Sequence, residues 1–199
     1  MVAALFVQRG GCYWDLPGVD PWDEARDARL YAGPWPVVAH PPCARWSRLA
    51  GLVEHRYGKK RHEDGGCFAS ALDSVRRWGG VLEHPAFTDA WWFYGLPRPP
   101  ASGGWVRGTC GGWACQVDQG HYGHKAPKST WLYAYGVGDL PSMHWGRSAA
   151  EMRLNSWYPK ETGRVARKEI PKADRIATPP AFRDLLLSIA ASSRIAEVA

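Results

Sequence analysis

The sequence predicts an α/β fold, a single domain with a mostly parallel sheet, and three observations carry that prediction. Short apolar runs alternate with segments of helical period through the first two-thirds of the chain, as layered α/β structures require. Glycine and proline punctuate the joins between them. At 199 residues and 45% hydrophobic content, the chain can bury one substantial core with a small appendage, but not two full domains.

Ala3 to Val7 is an apolar run with neither a basic leader nor a small-residue cleavage site, and it reads as the first buried strand. Asp20-Pro21 then precedes the stretch from Trp22 to Tyr31. A capping residue, an early proline and early acids predict a short helix there. Pro36 to Ala39 is the second strand. Phe68, Ala71, Leu72, Val75 and Trp78 recur at helical spacing after Gly65-Gly66 and stop at Gly79-Gly80, which predicts a helix with one apolar face. Val81 to Glu83, Ala114 to Val117 and Trp131 to Tyr135 supply three further strands. Pro97 to Gly112 is rich in proline and glycine and echoes Gly103-Gly104-Trp105 in Gly111-Gly112-Trp113, as a hairpin or ordered loop would. A last helix begins near Thr178-Pro179-Pro180 and buries Phe182, Leu185, Leu186 and Ile189.

These elements divide the chain into an α/β core over 1–136, an irregular basic segment over 137–177 and a closing helix over 178–199. The middle segment carries eight basic residues (Arg147, Arg153, Lys160, Arg164, Arg167, Lys168, Lys172, Arg175) against five acids (Asp139, Glu151, Glu161, Glu169, Asp174). Long irregular segments of this kind are usually functional or disordered, and a target-recognition role, if there is one, falls to this segment. The net charge of +6 is compatible with nucleic acid or nucleotide phosphates. Cys12, Cys43, Cys67, Cys110 and Cys115 form an odd, scattered set without a CxxC pair, which argues for a reducing compartment and a cytoplasmic location. No apolar run is long enough to span a membrane, and no membrane partner is expected.

Chemistry concentrates in three places. Val37-Val38-Ala39 runs into His40-Pro41-Pro42-Cys43-Ala44-Arg45-Trp46, a strand whose Pro-Pro turn holds a cysteine at its carboxyl end, where open α/β sheets place ligands. Arg45 would favour the thiolate there. Gly79-Gly80-Val81-Leu82-Glu83-His84-Pro85 is a second strand ending in a polar residue fixed by proline. In a parallel sheet Glu83 falls on the same edge as Cys43. A nucleophilic thiol paired with a carboxylic acid suits covalent chemistry on an electron-poor pyrimidine ring. The third place is the loop Gln116 to Trp131, with Gln116, Gln119, His121, His124, Lys125 and Lys128 as donors for a base edge or phosphate. The plainer alternatives are a buried structural cysteine, a solvated strand end and a solvated loop.

Taken in order, Pro41-Pro42-Cys43, Glu83-His84-Pro85, Asp118-Gln119, Tyr122-Gly123-His124 and Lys128-Ser129-Thr130-Trp131-Leu132, the chain resembles the DNA cytosine-C5 methyltransferases, and most closely the short methyltransferase-like proteins of bacteriophages. The resemblance covers roughly Leu5 to Leu132 and Thr178 to Ala190. It implies a Rossmann-like fold in which Cys43 attacks C6 of a cytosine, Glu83 protonates the ring, and Gln116 or Gln119 supports the site. Arg45, Trp46, His84, His121, His124, Lys125 and Lys128 are the further expected substrate contacts, and the resemblance implies S-adenosylmethionine at a turn containing Phe6, Gly10 and Gly11. The partner would be DNA or a pyrimidine nucleotide, with evasion of host restriction as a biological setting. The sequence departs from the family in lacking the first glycine of the Phe-x-Gly-x-Gly turn and in carrying His84 where asparagine is usual.

Three rival readings stand beside this one. A non-catalytic descendant would bind DNA or a protein partner. A nucleotide-modifying enzyme of other chemistry would use Glu83 as nucleophile. Zinc has candidate ligands in His40, Cys43, Cys67, His84, Cys110, Cys115, His121 and His124, but none has ribbon, finger or deaminase spacing, so no metal is expected. Trp46, Trp91, Trp92, Trp105 and Trp145 are candidate base-stacking residues, although aromatic-rich chains use most such rings as core.

Overall fold

The computed structural model describes residues 1–149, 152–154 and 168–194. Of the expected recognition segment, Glu151, Lys160, Glu161, Arg164 and Arg167 lie outside the described residues. Seven strands, β1 (Val2–Leu5), β2 (Val19–Trp22), β3 (Val37–Ala39), β4 (Gly80–Pro85), β5 (Val106–Arg107), β6 (Trp113–Asp118) and β7 (Ser129–Tyr135), form one sheet in the order β2-β1-β3-β4-β7-β6-β5. The helices are α1 (Ala50–Tyr57), α2 (Cys67–Trp78), α3 (Asp89–Phe93), α4 (Lys172–Ile176) and α5 (Pro180–Ala191). The class is α/β, as expected.

The sheet is mixed rather than mostly parallel. β2, β1, β3 and β4 run parallel, whereas β4–β7, β7–β6 and β6–β5 are antiparallel. Only a 3₁₀ turn (Gln119–Tyr122) and a short loop join β6 to β7, too little chain for the crossover that a parallel neighbour needs. The antiparallel direction brings the start of β7 to the edge where β1, β3 and β4 end.

The stretch read as a helix from Trp22 to Tyr31 is instead an edge strand followed by turns and a 3₁₀ turn at Ala28–Leu30. Its acids bind local groups. Asp20 accepts from Trp22 Nε1 and Arg26, Asp23 from the Arg26 amide, and Asp27 from the Arg29 amide. Such local bonds offer the backbone an alternative to a helical ladder.

Helices cover both faces. On one, Phe68, Ala71, Leu72 and Val75 of α2 pack with Leu5, Val37, Ala39 and Leu82. On the other, Phe182, Leu186, Ile189 and Ala190 of α5 pack with Ala4, Val38, Val81 and Leu132. Successive strand residues therefore feed opposite cores, which is why the parallel strands read as unbroken apolar runs. The chain leaves β1 for β2 on one side and later enters β3 on the other. That reversal opens a crevice beyond the carboxyl ends of β1 and β3, where open α/β sheets take ligands.

Gly80 sets the approach of β4 to β3. Its φ is +124°, and a Cβ there would lie 1.9 Å from the Val37 carbonyl oxygen. Gly80→Ala is expected to destabilise the fold by roughly 3 kcal/mol or more. Chemical denaturation tests this, and an unchanged midpoint would contradict the close packing of these two strands.

Candidate active site

A cleft of about 1060 Å³ occupies the predicted crevice. Its floor is the turn after β1, the His40–Cys43 turn after β3, Glu83 and the turn after β4, and the start of β7. Arg147, Met152–Leu154 and Arg175–Thr178 complete its wall. Cys43 and Glu83 thus face one space, each fixed by the prolines beside it.

Cys43 is half-buried. Burial pushes its thiol pKa up, the Glu83 charge adds to that, and Lys128 opposes it. Arg45 does not favour the thiolate as expected. It points away from the cleft into a separate hollow lined by Lys59, Glu63 and Asp64. At neutral pH Cys43 therefore rests as a thiol.

Glu83 is buried, which by itself would raise its pKa. The hydrogen bond and charge of His40, followed by the positive potential of Lys128, outweigh burial and hold the carboxyl well below the usual carboxylate range. His40 Nδ1 lies 3.0 Å from Oε2, and Gln119 Nε2 donates to Oε1 at 3.1 Å. The Gln119 amide also donates to Thr130 Oγ1 at 2.9 Å. Flipping it would turn its carbonyl oxygen onto the carboxylate. Both oxygens of a buried charge are thereby held by donors from neighbouring strand ends.

Tyr13, from the loop after β1, places its hydroxyl 2.8 Å from His40 Nε2. Sequence reasoning missed both members of this chain as site residues. His40 had a legible signal, because Ala39 pairs with Leu82 and the next residue on each strand is His40 or Glu83. Tyr13 had none, since its place depends on how the loop after β1 folds back.

Lys128, Phe6 and Gly11 line the cleft as the motifs suggested, whereas Gly10 sits in an exposed turn outside it. The other expected substrate contacts lie elsewhere. Trp46 is 1% exposed, donates to Asp64 and stacks on His62, so it is core. His84 alternates to the opposite face of β4 from Glu83 and lies edge-on to Phe68. Burial drives its pKa down to about 4, and the Pro42 carbonyl faces the ring without a well-formed hydrogen bond. Gln116 accepts from Trp131 Nε1, leaving Gln119 as the residue beside the carboxylate. His121 contacts the Gly146 carbonyl, and His124 is buried against the Ala126 and Asp174 carbonyls. Lys125 pairs with Asp174 at 2.9 Å on the surface.

The cations in the cleft are instead Arg48, Lys128, Arg147, Arg153 and Arg175, and Glu83 is the one carboxylate among the described lining residues. Nε of Arg153 and Nε of Arg175 are buried without a partner. Phe6 and Phe87 follow the ends of β1 and β4, both line the cleft, and both hold left-handed backbone (φ 59° and 63°). That conformation is strained for a bulky side chain. The Arg48 guanidinium lies 5.8 Å from the Phe87 ring centre.

Among the described residues, no three His, Cys, Asp or Glu side chains gather to hold a metal, and no helix is long and apolar enough to cross a membrane. S-adenosylmethionine carries a net positive charge, and the described cleft lining, with Arg48, Lys128, Arg147, Arg153, an Arg175 paired with Glu169 and one engaged carboxylate, offers it no acidic partner. No family model, curated protein or solved structure matches the chain.

Because the Glu83 charge raises the Cys43 pKa, Glu83→Gln is expected to lower it and to speed alkylation of Cys43 near neutral pH. The rate of iodoacetamide labelling at this residue, followed by peptide mass spectrometry against pH, makes the comparison. Superimposable profiles would show that the two groups do not sense one another.

Proposed function

We propose that this protein modifies the base of a polynucleotide, with Cys43 adding to C6 of a cytosine and Glu83 moving the accompanying proton. The carrying observation is the joint presentation of a half-buried thiol and a clamped, ionised carboxylate at the ends of β3 and β4 in one cleft. The resting protonation supplies what the step needs. As the Sγ–C6 bond forms, the thiol proton passes to the Glu83 carboxylate. The C5=C6 electron pair shifts through the ring, and N3 takes the proton from Glu83. The adduct is neutral, its C5 is an enamine carbon, and Glu83 is again a carboxylate ready for the reverse step.

The cation-lined wall supports a polyanionic substrate. The Phe6 and Phe87 rings, with Arg48 over Phe87, support a planar guest. A binding-only role is the second reading, favoured by the upward shift of the Cys43 thiol, which leaves less of the nucleophilic thiolate at neutral pH.

Addition at C6 requires no second substrate and makes the C5 hydrogen exchangeable, so the test is deuterium uptake at C5 of cytosine in an oligonucleotide dissolved in D₂O. Uptake by the wild type that disappears in Cys43→Ala is expected. Absence of uptake, or equal uptake by both proteins, would overturn the catalytic reading. Oligonucleotide affinity should also fall steeply with salt, by about 0.7 log units per log unit of salt for each phosphate contact. Arg147→Gln should flatten that slope, and an unaltered slope would remove this wall from the interface.

A further inference from the structure

We infer that His40 is a positioning residue for Glu83, aimed by Tyr13, and that this relay keeps Glu83 a proton acceptor for the Cys43 thiol. The inference deepens the base-modification reading and rests on it for its catalytic meaning. Its geometric part stands alone.

An ionised carboxylate only accepts hydrogen bonds, so the His40 nitrogen 3.0 Å from Oε2 must be the one that carries a proton. That fixes Nδ1–H whatever the charge of the ring. In the neutral ring Nε2 is then an acceptor, and the partner 2.8 Å away is the Tyr13 hydroxyl. Burial raises the Tyr13 pKa well above the usual phenol range, so the hydroxyl keeps its proton and donates it to Nε2. The bonds run one way, from Tyr13 to His40 to Glu83. They cross from the loop after β1, through the turn after β3, to the end of β4.

The surroundings leave His40 and Gln119 as the direct donors to the carboxylate. The other titratable groups facing Glu83 are Lys128 before β7, Cys43 in the β3 turn, Tyr13 and His84 of its own strand. Lys128 spends a proton on the Ala177 carbonyl at 3.2 Å, and His84 lies on the opposite face of the strand. With His40 removed, the buried carboxyl keeps a single donor and takes up a proton at higher pH. A protonated Glu83 cannot accept from the thiol. The loss therefore appears as an acid limb, with activity falling as pH drops through the raised Glu83 value.

The experiment follows the Glu83 carboxyl by ¹³C NMR titration in the wild type, His40→Ala, His40→Asn and Tyr13→Phe, with C5 deuterium exchange measured over the same pH range. In His40→Ala, Glu83 is expected to titrate about one unit or more higher, with the acid limb of exchange moving by the same amount. His40→Asn places an amide donor where Nδ1–H stood and should restore most of the wild-type profile. Tyr13→Phe should shift Glu83 the same way by less. In the wild type, ¹⁵N shifts of His40 should report a proton on Nδ1, an observation that needs no variant to fold. An unmoved Glu83 titration in folded His40→Ala, equal shifts in the Ala and Asn variants, or a neutral wild-type ring protonated on Nε2 alone would each overturn the relay. If the wild type exchanges no C5 hydrogen while Glu83 moves as expected, the relay stands and the base-modification reading falls.

Discussion

A carboxylate buried at the end of β4 is the constraint on which the rest of the site depends. Leaving such a charge without a partner costs about 3–5 kcal/mol, so its donors are not optional contacts. They arrive from three directions. His40 comes from the β3 turn, Gln119 from the 3₁₀ turn after β6, and the potential of Lys128 from the loop before β7. The strand order makes this convergence achievable. Had β7 run parallel to β4, Lys128 and Thr130 would lie at the opposite edge of the sheet, and the Gln119 amide would lose one of its two acceptors.

The same convergence explains why Cys43 and Glu83 rest in the protonation states opposite to those of an adding thiolate and a donating acid. The donors that stabilise the carboxylate deny it a proton, and the carboxylate discourages thiolate formation nearby. One proton held on Sγ satisfies both. In the proposed addition that proton would leave for a ring nitrogen by way of Glu83, with no isolated charge created in a half-buried cleft.

Much of the fold is legible in the chain because it rests on local periodicity. The apolar spacing of Phe68, Ala71, Leu72 and Val75 marks α2, that of Phe182, Leu186 and Ile189 marks α5, and the β3 and β4 runs end where Cys43 and Glu83 begin to matter. α1 escapes this reading because it buries only Ala50 and so has no apolar stripe. The 19–31 stretch misleads because aspartates that suit a helix start suit a tight turn equally well, and pairing with β1 decides between them. The site is less legible. Gln116 and Gln119 look equivalent in sequence, and only the turn after β6 separates the one that meets Trp131 from the one that meets Glu83. Arg45 and Trp46 follow the cysteine closely, yet the turn carries them into other surroundings. Arg147, Arg153 and Arg175 come from beyond the sheet, in the 137–177 segment that its basic charge marks as a candidate recognition segment but where no motif singles them out.

Phe87 shows how a chain can carry information that folding does not require. It is 47% exposed, in a left-handed conformation that costs an L-residue roughly 1–2 kcal/mol, with only partial cover from Trp131. Glycine or asparagine would fit that backbone with less strain. A library of this protein sorted for thermal endurance alone should drift toward such residues at 87, while the cleft loses an aromatic ring; Phe6 shares the strain but packs against the core and should be kept. If the cleft takes the planar guest proposed for it, robustness and use pull in opposite directions at Phe87, and variants that gain the first by surrendering the second would trace that guest's outline more directly than variants that simply fail.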